Sequence, residues 1–168
     1  AIHLDAVQTA ELTGNRIRNS HAYNHRITEM AARGGDGGAI YSRISKTVTL
    51  KNNVITENGS MGNGAGLWVL GAADCVLTLE GNTIAKNEAG QRGGGMKLNM
   101  DKNSQVNLIS GLISENRSSG FGGGIDYTNH ENPTLHLTNV LITGNRASRG
   151  AGIWACPTSE TEVYSTLG

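Results

Sequence analysis

A step of 29 residues recurs along the chain and constrains its fold more than any other feature. Leu50, Leu79, Leu108 and Leu137 stand 29 apart. So do Ile55, Ile84, Ile113 and Ile142, and so do Asn58, Asn87, Asn116 and Asn145. A glycine block follows each Asn: Gly64-Ala65-Gly66, Gly93-Gly94-Gly95, Gly122-Gly123-Gly124 and, after a one-residue deletion, Gly150-Ala151-Gly152. An apolar residue closes each block, at Leu67, Met96, Ile125 and Ile153. Earlier in the chain, Leu12, Asn15 and Ile17 keep the internal spacing, and Gly38-Ala39-Ile40 supplies the matching block. A fixed period in this range marks a solenoid. About five repeats make up one domain over residues 1–168, and both ends of the chain fall inside a repeat.

Within a repeat the apolar spacing is two. Val48 and Leu50, Leu77 and Leu79, Val106 and Leu108, and Leu135 and Leu137 bracket polar Thr49, Thr78, Asn107 and His136. That is strand periodicity, and helical spacing is absent. Short strands bounded by Asn, Gly and Ser, repeated in like columns, predict an all-β parallel β-helix of about five coils. Successive coils stack roughly 4.8 Å apart, so like residues sit on one another. The Asn58, Asn87, Asn116 and Asn145 column predicts an amide ladder at an inward-facing turn. The columns of Gly64, Gly93, Gly122 and Gly150, and of Gly66, Gly95, Gly124 and Gly152, predict positive φ or close backbone approach. Twelve of the 24 glycines lie in these blocks, counting Gly37 beside Gly38, so the glycine is a stacking residue and not a mark of flexibility.

Charge excludes one class of partner. Fourteen Lys and Arg balance 14 Asp and Glu. No basic surplus exists to neutralise phosphates, so no nucleic acid is expected. No run of 18 apolar residues exists to form a transmembrane helix.

The repeats resemble those of the chlamydial polymorphic membrane proteins and related bacterial surface proteins, which pair a GGA(I/L/V) tetrapeptide with FxxN. Gly37-Gly38-Ala39-Ile40 matches the first in full, and Gly64-Ala65-Gly66-Leu67 is a looser version. IxxN replaces FxxN at Ile55–Asn58, Ile84–Asn87, Ile113–Asn116 and Ile142–Asn145. The resemblance covers nearly the whole chain and implies a right-handed parallel β-helix, secreted or displayed on a bacterial surface as an autotransporter passenger, with adhesion as its role. No Phe stands in the FxxN place, and no barrel is expected within residues 1–168.

Few residues are left for chemistry once the stack is accounted for. The step from Ile17 to Ile40 is 23 residues where Ile55 to Leu67 is 12, which places an insertion at about residues 21–36. Solenoid insertions project from one face and often bind partners. This one carries Tyr23, Arg26 and Glu29 as candidate contacts, and a short helix is expected from Thr28. His21 and His25 stand at i and i+4, a weak metal signal because spacing fixes no third ligand. Against each functional reading stands a plain surface loop.

The positions after the glycine-block apolar residue are Tyr41, Trp68, Lys97, Asp126 and Trp154. Alternation points them outward. Exposed aromatics can take the apolar face of a sugar, with Lys97 and Asp126 as hydrogen-bonding partners. The plain alternative is that these rings pack on the outer surface. No catalytic residues are assigned. Asp5, Asp36, Asp74, Asp101 and Asp126 are scattered over coil positions, whereas polysaccharide-cleaving helices need clustered carboxylates. The best remaining group is Asp126 with His130 and Glu131. Cys75 and Cys156 lie two to three coils apart, beyond the ~7 Å Cα reach of a disulfide, and Cys75 is expected in an exposed turn.

The expected function is a non-catalytic structural and adhesive segment, extracellular or at the cell surface, needing no cofactor and binding a protein or glycan through its loops and aromatic column. Two alternatives stand beside it: a subunit that associates end to end into filaments, because open strand edges template further pairing, and a polysaccharide-active fragment.

Overall fold

The computed structural model describes residues 1–22, 35–129, 131–157 and 162–166. Every strand pairing in it is parallel. No helix occurs among the described residues, and none is long and apolar enough to cross a membrane. The strands wind into a β-solenoid of about 4 turns, fewer than the five coils expected because the end coils are partial. Tyr23, His25, Arg26 and Glu29 lie outside the described residues, as does the helix expected from Thr28.

Three stacks of strands form the walls. The second wall holds Arg16–Arg18, Val54–Thr56, Thr83–Ala85, Leu112–Ser114 and Leu141–Thr143. The third holds His21–Ala22, Gly59–Ser60, Glu88–Ala89 and Arg117–Ser118, which a single bridge extends to Arg146. The first wall has ten strands and is built around Ile40–Lys51, which pairs with Ile2–Thr13 on one side. On the other side the long strand meets two shorter ones. Its first half pairs with Leu67–Gly71 and its second half with Val76–Glu80. Residues 72–75 break the strand into two from that turn onward.

Register puts like on like. Ile40, Leu67, Met96 and Ile125 form one buried column; Val48, Leu77, Val106 and Leu135 form another; Leu50, Leu79, Leu108 and Leu137 a third. A buried side chain of this size contributes about 1.5–3 kcal/mol relative to exposure. Because each turn covers its neighbours, this apolar burial accumulates with turn number.

The expected Asn ladder is present. Asn58, Asn87 and Asn116 each donate from Nδ2 to Oδ1 of the next Asn, at 2.9, 2.9 and 3.0 Å, ending on Asn145. Nδ2 of Asn58, Asn87, Asn116 and Asn145 also donates to the carbonyl of Ile17, Ile55, Ile84 and Ile113. A second, shorter ladder runs Asn15, Asn53, Asn82. It stops at Gly111, which brings no amide and leaves a small cavity lined by Asn82, Leu108 and Val140.

The glycine columns divide the two expected roles between them. Gly93 has φ +65°, and a Cβ there would collide with the Met96 carbonyl. Gly95 has ordinary φ, but a Cβ would stand 2.6 Å from the Gly124 carbonyl one turn on. The first glycine makes the bend and the third lets two turns approach.

Candidate functional site

The outward column exists in the expected register and gains a member. His3 pairs with Tyr41, Tyr41 with Trp68, Trp68 with Lys97, Lys97 with Asp126 and Asp126 with Trp154. Alternation from the core columns fixes this placement. Strand spacing then brings consecutive side chains into contact.

At the lower end the column is aromatic. The Tyr41 and Trp68 rings stack with centroids 4.6 Å apart, and His3 lies 4.5 Å from the other face of Tyr41. The two faces of Tyr41 are therefore taken by its neighbours, so the stack offers ring edges more than open faces. These rings border a groove with Asp36, Arg43 and Leu70. Arg43 reaches Asp5 at 3.2 Å in an exposed ion pair. Burial raises the Tyr41 hydroxyl pKa, while the nearby Arg43 charge pulls it down. The Trp68 Nε1 donor is shielded from solvent and has no hydrogen-bond partner among the described residues.

At the upper end the column corrects a sequence expectation. Lys97 and Asp126 do point away from the core, but they are not exposed: Lys97 is 8% and Asp126 0% accessible. A roof covers them. The residue ahead of each glycine block forms its own column, in which the Gly93 amide bonds to Phe121 and the Gly122 amide to Arg149. Phe121 packs 4.9 Å from the Trp154 ring, and Arg92 stacks 4.4 Å from the Phe121 centroid. Trp154 is half-buried beneath this cover.

Under the roof Lys97 Nζ donates to Asp126 Oδ1 at 2.6 Å and to Thr128 Oγ1. Thr128 Oγ1 in turn donates to Asp126 Oδ1 at 3.1 Å. Arg92 Nε lies 4.0 Å from Asp126 Oδ2, which has no hydrogen bond. Burial lowers the Lys97 pKa, and the Asp126 charge opposes that shift. The arrangement is a buried ion pair two strands wide. It holds adjacent turns together and offers no path for a sugar.

The other named residues scatter. His21 sits in the third wall over Gly59, far in sequence from any described His. Among the described residues no three His, Cys, Asp or Glu side chains are placed to share a metal ion. Cys75 and Cys156 are both free. Cys75 is buried, not exposed, because its turn folds the thiol inward beside Gly71 and Met100; burial raises its pKa to about 11. Cys156 is exposed and pairs in register with Thr128. The roof residues Arg92 and Phe121 went unassigned in the sequence. Their signal is the position before the glycine block, where unlike residues follow one another.

No curated protein and no solved structure matches the chain. Residues 1–166 match the family model described as the right-handed β-helix region, and the protein belongs to that family.

Proposed function

We propose that this β-helix is a non-catalytic structural and adhesive segment of a secreted or surface-displayed bacterial protein, and that it binds a glycan or protein ligand at the aromatic end of its outward column. The groove at His3, Tyr41 and Trp68 carries the reading. Most side chains in a stacked solenoid are committed to holding turns together, whereas this groove brings aromatic edges, a carboxylate and a guanidinium together at the surface. Such mixed apolar and polar surfaces orient small ligands. The resemblance to polymorphic membrane proteins supports the extracellular setting.

The polysaccharide-active alternative has its best support in Asp126, a carboxylate with one oxygen that makes no hydrogen bond among the described residues. Its complete burial speaks against it, since a general base must reach the proton it removes.

The test is a glycan and protein array probed with the intact chain and with Tyr41→Ala and Trp68→Ala. Binding by the intact chain and at least tenfold weaker binding by both variants is expected. Undiminished binding by the variants overturns the assignment of the groove, and new reducing ends from any glycan overturn the non-catalytic reading.

A further inference from the structure

A second cleft lies on a different wall from the aromatic groove. Its lining is Arg117, Ser118, Ser119, Arg146, Ala147 and Ser148. Arg117 and Arg146 are directly paired across a parallel bridge. Paired residues on neighbouring strands project from the same face about 4.8 Å apart, and like charges so placed repel.

The fold supplies only half of the compensation. One turn below Arg117, Glu88 approaches its Nε at 3.8 Å. On the other side of Arg117, Arg146 forms no ion pair among the described residues. Ser148 donates its hydroxyl to the Ser119 carbonyl at 2.7 Å, which fixes the loop that carries Arg146. The result is two arginines on neighbouring turns, the Arg146 charge without an ion pair among the described residues, beside a cleft that opens to solvent.

We propose that this cleft binds the anionic group of an acidic polysaccharide, a carboxylate or a sulfate. Two adjacent guanidinium groups present planar forks of donors that match such an oxyanion and form charge-assisted bonds to it. Binding relieves the repulsion between Arg117 and Arg146. A nucleic acid is disfavoured because Glu88 lies against Arg117, Glu115 stands two residues before it in the chain, and the chain as a whole is neutral. A membrane is disfavoured because Met61 and Leu141 are the only large apolar residues exposed among those described, which is too few for interfacial insertion. A polysaccharide with charges separated by neutral hydroxyls suits a short basic cleft edged by acids.

This site stands apart from the aromatic groove, so either can fail alone. The experiment presents the intact chain to immobilised dextran sulfate, polygalacturonate and uncharged dextran. Binding to at least one acidic polymer, weakened by salt, is expected, with none to dextran. Arg117→Ala with Arg146→Ala should lower that affinity about tenfold or more, as loss of two charge-assisted bonds implies, while Tyr41→Ala leaves it unchanged. Arg146→Glu gives a second readout. It places a carboxylate beside Arg117, so the thermal midpoint holds or rises while binding is lost. Equal binding by the double alanine variant, binding to neither acidic polymer, or binding to duplex DNA or anionic vesicles in their place overturns the proposal.

Discussion

Asn87 donates from Nδ2 to Oδ1 of Asn116, 2.9 Å away and one turn further along. The Asn87 backbone N–H donates to the same oxygen at 3.0 Å. Asn116 Nδ2 meanwhile donates to the Ile84 carbonyl at 2.8 Å. One amide thus serves three groups of the preceding turn, and its Nδ2 also donates to Asn145 Oδ1 in the next. Asn116→Ala should destabilise the protein by about 3 kcal/mol, because each buried group left unpaired costs about 1–3 kcal/mol. Asn116→Asp should be no better, since it keeps the acceptor but loses the donor to Ile84. Urea unfolding of the two variants measures both; a loss below about 1 kcal/mol would show that the ladder adds little.

Gly111 marks the opposite case. Asn53 and Asn82 continue one ladder up to it, and a Cβ at Gly111 would meet only the Asn82 carbonyl, at 3.3 Å. Gly111→Asn should extend the ladder, accept the Asn82 N–H and fill the small cavity. A gain of about 1 kcal/mol is expected from one added buried hydrogen bond. Gly95→Ala, by contrast, drives a Cβ into the Gly124 carbonyl and should lower the thermal midpoint sharply. If both substitutions shift the midpoint in the same direction, the column assignment is wrong.

The Lys97–Asp126 pair is buried from both sides. Asp126→Ala leaves an ammonium under the Phe121 roof without its carboxylate, a change that costs about 3–5 kcal/mol in comparable buried pairs. Replacing both residues with Met and Leu should recover most of that loss, because two apolar groups need no partner. Comparing the single and double variants by denaturant midpoint separates pairing from packing.

The two cysteines should behave as different chemicals. Cys156 is exposed and should react with a disulfide reagent in the native protein; Cys75 should react only after unfolding. The Cys75 thiol has its pKa raised from 9.0 to about 11 in the fold. The unfolded chain therefore gives up this proton at lower pH than the folded one. Stability that is present below pH 9.0 should be lost as pH rises toward about 11. Cys75→Ala should flatten that part of the stability–pH curve, and an unchanged slope would assign the alkaline loss to other groups.

Columns were legible in the sequence wherever each turn repeats the same residue. The Asn58-to-Asn145 ladder, the Leu and Ile layers and the glycine roles all follow from a 29-residue step and the spacing of strands. The shorter ladder is harder to see because Asn15 to Asn53 is 38 residues and Gly111 interrupts the next step. The roof was illegible for a deeper reason. Arg92, Phe121 and Arg149 share a column but no chemistry, and whether Asp126 is wet depends on which of them folds over it. Alternation tells which side of a strand a residue leaves from; it does not tell what lies on that side.

The long strand Ile40–Lys51 passes the corner of the first wall with only residues 45 and 46 between its two pairings, where the next turn has residues 72–75. The strands on both sides keep their register despite the difference. The corner is thus a splice point, where segment length can vary without disturbing the stack. Foreign peptides inserted at residues 72–75 and 101–104 would emerge along one edge at intervals of about 4.8 Å. Such an edge would work as a ruler for holding several short ligands at set separations, with the gain in avidity that fixed spacing brings.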